Sequence, residues 1–298
     1  MTTPVRITAV SYLNTLPFIY GIEQRVALSS AAAGHVVPSL PEAERLPAGE
    51  GIALTLRVPS LCAADAIAGA TDIALIPVAA IPLIPGFSIR SATSEAGNSS
   101  VGRTQDFTPQ IITDYCIGAE GAVDTVVLLS DTPLADIRRV YLDSHSRTSV
   151  QLVRVLAREH WGIAPEWIDC TDCSGELRAG EAMVAIGDKV FALTAAHEYA
   201  WRYDLAQEWH DFTGGLPFVF AAWVACSPAG LSFAPKLNSA LAYGVSHIAE
   251  SIPGTVNRSR DFEFEPAYRY LTESIKFNLD DRKRMAMRLF WEKIITPG

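Results

Sequence analysis

Four short polar segments stand where apolar, β-prone runs give way to turns or helices: Ser11-Tyr12-Leu13-Asn14, Gly118 to Thr125, Ser144 to Ser149, and Gly187-Asp188. They hold most of the side chains that could do chemistry, and in open α/β sheets such turns face the ligand crevice. The richest is Asp143-Ser144-His145-Ser146-Arg147-Thr148-Ser149, which sets hydroxyls and free backbone N–H groups at the start of a helix, where the dipole favours an anion. A carboxylate or phosphate suits that place as a guest, and Ser146 can equally serve only as the N-cap of its helix. Arg147 is either a bidentate clamp on a carboxylate or a strut to Asp143 or Asp188, and the strut is the plainer reading. Asn14 is either a turn residue or a polar finger into a cleft. Its amide donates and accepts at once, which suits a ligand carrying both a hydroxyl and a carboxylate.

Other chemistries lack their parts. Cys170-Thr171-Asp172-Cys173 is a lone Cys-x-x-Cys without the second pair that structural zinc needs. The six histidines form no His-x-x-x-His pair, and neither a Gly-x-x-x-x-Gly-Lys loop nor a Gly-x-Ser-x-Gly elbow occurs. Hydride transfer, phosphoryl transfer and serine hydrolysis lose ground, and neither a metal nor a cofactor is expected. Trp201, Tyr203, Trp209, Phe212, Phe218, Phe220 and Trp223 make an aromatic-rich belt best read as core packing. Within it, Leu216-Pro217-Phe218 could also form an apolar wall of a cleft.

The polar turns need a scaffold that brings them together. At roughly 150 residues per domain, the 298 residues suggest about two domains. With 49% hydrophobic and 19% charged residues, whole-chain disorder is excluded. Lys and Arg total 24 against 33 Asp and Glu, a formal charge of −9, which leaves no excess of cations for a phosphate backbone and argues against nucleic acid. Five cysteines are an odd, sparse set that does not make a disulfide framework and fits a reducing compartment. The N-terminus shows no basic region or cleavage site, and the apolar stretch Ala74 to Ile89 is cut by Pro77, Pro82 and Pro85. The expectation is a soluble cytoplasmic protein with no membrane partner.

Periodicity supplies the elements. Ile7 to Tyr12 reads as a strand, followed by a turn and a helix with Pro17 in its first turn. Ile52 to Val58, a helix from Leu61 capped by Ser60, and Asp72 to Pro77 continue as a βαβ pattern with parallel pairing. Residues 26–51 read as a loop or excursion, and 92–110 as a surface loop or a crossover between domains. Strand and helix alternate again from about 111 to 215, including a helix from Ser146 to about His160. Phe218 to Ala225 suits a strand buried on both faces. Helices are expected at 236–251, 264–277 and 281–295, the last capped by Asp280. The pattern describes an α/β chain of two lobes with a ligand cleft between them. The first lobe comprises 1–110 and 218–298, the second 111–217.

Five ordered motifs then resemble those of the chorismate dehydratases of the futalosine route to menaquinone. They are Val10-Ser11-Tyr12-Leu13-Asn14-Thr15-Leu16-Pro17, Cys116 to Val123, Ser144 to Val150, Ile186-Gly187-Asp188 and Thr213 to Ala221. The resemblance spans nearly the whole chain. It implies a type II periplasmic-binding-protein-like fold in a cytoplasmic enzyme, and the loss of water from chorismate to give 3-[(1-carboxyvinyl)oxy]benzoate without a cofactor. It places the family's asparagine at Asn14 and a position often occupied by serine at Thr125, the two residues assigned to catalysis. Substrate binding falls to Ser11, Tyr12, Gly121, Ser146, Arg147, Thr148, Ser149, Asp188, Pro217 and Phe218. Glu120 and Asp188 are possible bases, and the family-level alternative is that the substrate's own enolpyruvyl carboxylate takes the proton. The competing class is a non-catalytic protein of this fold that binds a small anion. The sequence leaves the oligomeric state open.

Overall fold

The computed structural model describes residues 4–26, 51–89, 107–144, 146–170, 176–254 and 263–295. His145, Cys173 and most of the two expected loops at 26–51 and 92–110 lie outside the described residues.

The first lobe is built on a six-stranded sheet. Val5–Val10 (β1) pairs in parallel with Ile52–Arg57 (β2) and with Ile73–Pro77 (β3). Leu16–Arg25 (α1) follows β1, with Pro17 in its first turn, and Pro59–Ile67 (α2) follows β2. The α2 start differs from expectation. Its N-cap is Val58, without a side-chain bond, and Pro59 takes the first helical position, because a proline there needs no N–H partner and already has helical φ. Gln110–Ala119 (β4) was expected to open the second lobe and instead belongs to the first sheet. There it pairs antiparallel with Phe218–Ala225 (β10), its neighbour in space though far along the chain. A strand whose last four residues are all buried needs a partner on each edge, and β10 and Lys276–Asn278 (β11) provide them. The sheet order is β11-β4-β10-β3-β1-β2.

The second lobe carries a five-stranded sheet. Val126–Ser130 (β5), Arg139–Asp143 (β6), Glu166–Cys170 (β7), Glu181–Ile186 (β8) and Trp201–Asp204 (β9) run in the order β7-β6-β8-β5-β9. β6 pairs in parallel with β7 and β8, while β5 is antiparallel to β8 and β9. The helices here are Arg147–Leu156 (α3), Lys189–Ala196 (α4) and Leu205–Phe212 (α5). The chain therefore crosses between sheets at 120–125 and again before Phe218. Of the two readings of 92–110, the crossover is not the one taken, since β3 before it and β4 after it share the first sheet.

Pro228–Ser246 (α6), Ile248–Gly254 (α7), Phe264–Arg269 (α8) and Asp281–Ile295 (α9) complete the chain. A wide helical turn at Tyr270–Ser274 continues α8. As expected, β10 is buried on both faces except at Phe220, and Asp280 caps α9 by accepting the Lys283 N–H at 2.8 Å. The aromatic belt is core at Trp209, which packs edge-on against Phe212, Phe218 and Phe290. Trp201 departs from it, 43% exposed on the edge strand β9. Cys170 is disulfide-bonded, whereas Cys62, Cys116 and Cys226 are free thiols. Among the described residues no helix is long and apolar enough to cross a membrane.

Candidate active site

The carboxyl ends of β1, β3 and β4 and the start of β10 face the ends of β6 and β8 and the start of β5. Between them lies a pocket of about 550 Å³ counting its open mouth, a size suited to a small ligand. The first lobe lines it with Val10, Tyr12, Asn14, Thr15, Pro59, Pro77, Ile117, Phe220 and Ala221; the second contributes Val123, Thr125, Val126, Ser146, Thr148, Ser149, Ile186 and Gly187. No Asp, Glu, His, Lys, Arg or Cys is among these residues. The polar inventory is hydroxyls, one amide and backbone.

Asn14 sits in a single 3-10 turn, Leu13–Thr15, between β1 and α1. Thr15 braces that turn, its hydroxyl donating to the Val10 and Tyr12 carbonyls, each at 2.7 Å. Thr125 ends the first crossing. Its approach is pinned by Asp204, the N-cap of α5, which accepts the Val123 N–H at 2.9 Å and the Asp124 N–H at 2.6 Å. Burial pushes the Asp204 carboxyl up, against four backbone N–H groups that favour its ionised form. Asp124 takes a left-handed backbone, φ 67°, unusual outside glycine. It is held there by Ser274, whose hydroxyl donates to its carboxylate at 2.9 Å.

Ser146 is the N-cap of α3, accepting the Ser149 N–H at 3.1 Å and donating its own proton to the Ser149 hydroxyl at 2.8 Å. With Ser149 satisfied, the first-turn N–H groups left without an intrahelical acceptor by their position are those of Arg147 and Thr148. The Thr148 hydroxyl does other work. It donates to the Phe220 carbonyl at 3.1 Å and accepts the Ala79 N–H at 3.3 Å, tying α3 to the first lobe. A β-bulge between Val219 and Ala221 leaves Phe220 out of register with β4, which frees its carbonyl and turns its ring to the pocket.

Several expected residues fall elsewhere. Arg147 is exposed and does not line the pocket, and its expected strut partners are engaged otherwise: Asp143 pairs with Lys189, and Asp188 accepts the Leu13 N–H at 3.1 Å. Pro217 and Phe218 are core rather than cleft wall. The Pro217 carbonyl accepts Trp209 Nε1–H at 3.1 Å, and Phe218 packs on Trp209 and Phe290. The wall is Phe220, two residues on, because the strand's alternation and bulge present that side chain and bury its neighbours. Ser11 extends the β1 ladder through its N–H to Arg57. Gly121 turns the crossing at φ +100° and stands off the pocket. Asp188 bridges the lobes, and Tyr12 lies flat against Gly187, where a Cβ would come within 3.2 Å of its ring. Glu120 is bound to Lys283 at 2.9 Å, and that hydrogen bond holds its carboxyl below the usual range.

Sequence reasoning missed Tyr270. Its hydroxyl lies 2.7 Å from Thr125 Oγ1 and also hydrogen-bonds the Asn14 side chain. Burial pushes its phenol far up, so it stays neutral. The only signal was its place in a helical stretch near the C-terminus, which says nothing about a cleft formed by residues far away in the chain.

Two α/β lobes closing on a pocket at facing strand ends define the periplasmic-binding-protein fold. The chain superposes on a Candida albicans gene product described as having the generic form of that fold, with TM-score 0.59 and 12% identity, over 100% of this chain and 92% of that one. It matches the MOPS-bound alkanesulfonate-binding protein SsuA of Xanthomonas axonopodis pv. citri at TM-score 0.56 and 14% identity, over 100% and 95%. A profile described as menaquinone biosynthesis matches residues 104–295, and the chain belongs to that family. It is 24% identical over 205 residues to the chorismate dehydratase of Thermus thermophilus, a match covering 63% of this chain and 74% of that protein.

Proposed function

We propose that this protein is a cytoplasmic chorismate dehydratase acting without a cofactor, and that its product is 3-[(1-carboxyvinyl)oxy]benzoate on the futalosine route. The observation that carries the reading is a pocket of neutral donors and apolar walls, with no acid or base side chain among its described lining residues, in a chain of the menaquinone biosynthesis family. Chorismate brings its own charge. Removal of the proton from the ether-bearing ring carbon gives a carbanion delocalised through the ring double bond to the ring carboxylate. The neighbouring hydroxyl then leaves, and proton and hydroxide depart as one water from an aromatic ring. The enolpyruvyl carboxylate is the base within the substrate, so the protein's task is to hold it in line and support developing charge. In this reading the Arg147 and Thr148 N–H groups at the start of α3 take one carboxylate. Asn14 and Thr125 stand at the reacting carbons, and Phe220 with Pro77 and Ile117 closes over the ring.

Purified protein mixed with chorismate should give an aromatic product lighter by one water. Conversion no faster than in buffer ends the reading, and tight binding without turnover favours the non-catalytic alternative. Asn14→Ala should lower kcat by about 100-fold with unchanged circular dichroism, the scale expected when a donor to developing charge is lost.

A further inference from the structure

Two polar side chains at the heart of the pocket come from different lobes. Asn14 stands at the end of β1 in the first, and Thr125 at the start of β5 in the second. Both line the pocket. A third group joins them from behind. Tyr270, 5% exposed and outside the lining, belongs to the wide turn after α8 and puts its hydroxyl 2.7 Å from Thr125 Oγ1 and in hydrogen-bond contact with the Asn14 side chain. Its ring is held edge-on by Phe191 of α4, with centroids 5.9 Å apart. The phenol is therefore gripped by both lobes and touches both pocket amide and pocket hydroxyl. We propose that Tyr270 is a positioning residue that fixes the orientation of Asn14 and Thr125 toward the substrate and completes the site only when the lobes are together.

A neutral phenol has one proton to give and can accept another bond. Bonded to the Thr125 hydroxyl and contacted by the Asn14 amide, it holds both side chains in one orientation toward the cleft. Burial keeps the phenol protonated, so the arrangement holds across the working pH range. Thr125 adds stiffness that serine would lack, since its methyl restricts rotation about χ1 and keeps Oγ1 on the tyrosine. The inference rests on the dehydratase reading of the same pocket.

Tyr270→Phe removes the link and keeps the ring on Phe191. We expect kcat on chorismate to fall roughly 30-fold with KM changed less than about threefold and Tm within about 3 °C, since misplaced groups cost rate more than binding. In an Asn14→Ala background the same substitution should cost less than about twofold, because the group it positions is gone. A kcat within about threefold of wild type, or an equal cost in both backgrounds, overturns the proposal. Thr125→Val should behave like Tyr270→Phe, which retains the test if the phenylalanine variant folds poorly. Failure of the wild type to turn over chorismate would count against the dehydratase reading alone. The positioning is then read from the Asn14 side-chain amide signals in a ¹⁵N–¹H spectrum, identified by their loss in Asn14→Asp. They should be sharp and dispersed in wild type and collapse toward the free-amide position in Tyr270→Phe; unchanged signals overturn the proposal.

Discussion

Neutral side chains face the pocket, and charged ones hold the loops that shape it. Lys283, 1% exposed, donates to Glu120 at 2.9 Å and to Asp280 at 3.4 Å. It fastens α9 to the first residues of the crossing that ends at Thr125. A sequence reader sees Glu120 in a polar turn and reasonably considers it as a base; its lysine partner lies far away in sequence and is visible only in the fold. The hydrogen bond from Lys283 depresses the Glu120 carboxyl. A depressed folded-state value means that the stabilisation is present above the ordinary carboxylate value of about 4.3 and is lost as pH falls through the folded value. Glu120→Gln should therefore lower the urea midpoint at pH 7, and the difference from wild type should shrink as the pH falls below the ordinary carboxylate value. A difference that does not change with pH would show that the pair contributes nothing through ionisation.

Helices α1 and α6 cross so closely that only glycine fits on both. A Cβ on Gly244 would stand 1.8 Å from the Pro17 carbonyl oxygen, and one on Gly21 would stand 2.0 Å from that of Ala240. These are backbone atoms, so relief requires the helices to part. Gly244→Ala should cost about 3 kcal/mol, at the upper end of overpacking penalties, which for a protein of this size is about 6 °C or more in Tm by calorimetry. Because α1 begins two residues after Asn14, chorismate turnover should fall with stability, and a variant that loses neither would show that the crossing can relax. The helix starts themselves were legible. Pro17, Ser146 and Asp280 are local signals that act within one turn, and each marks a start where expected. The Phe220 bulge was not legible, because a bulge depends on how two distant strands fall into register.

The two lobes meet through a few buried polar contacts beside the pocket. Thr148 spans from α3 to the Phe220 carbonyl and the Ala79 N–H, and the Leu13 N–H reaches Asp188. Beyond the pocket, Lys293 of α9 pairs with Glu159 at 2.5 Å. Thr148→Val keeps the shape but leaves a buried donor and a buried acceptor without partners, at about 2 kcal/mol. Much of that penalty is relieved if the lobes separate and water enters. Small-angle scattering should then show a larger radius of gyration for Thr148→Val without ligand, together with weaker chorismate binding. An unchanged radius and affinity would mean that the hydroxyl does not set the closure.

Much of this protein follows from local sequence. Strand and helix alternate where apolar periodicity and caps dictate, β10 is buried along most of its length as its unbroken apolar run requires, and Asn14, Thr125 and the Ser146 helix start fall in polar turns that line the pocket. Those features depend on interactions within a few residues. The placement of β4 in the first sheet, the exposure of Arg147, the retreat of Phe218 into the core and the arrival of Tyr270 behind Asn14 and Thr125 do not. Each is settled by which distant segment supplies the partner for a buried strand edge, carbonyl or hydroxyl. Such partners satisfy the need for buried polar groups to be bonded, a requirement that a linear sequence states and only three-dimensional packing can meet.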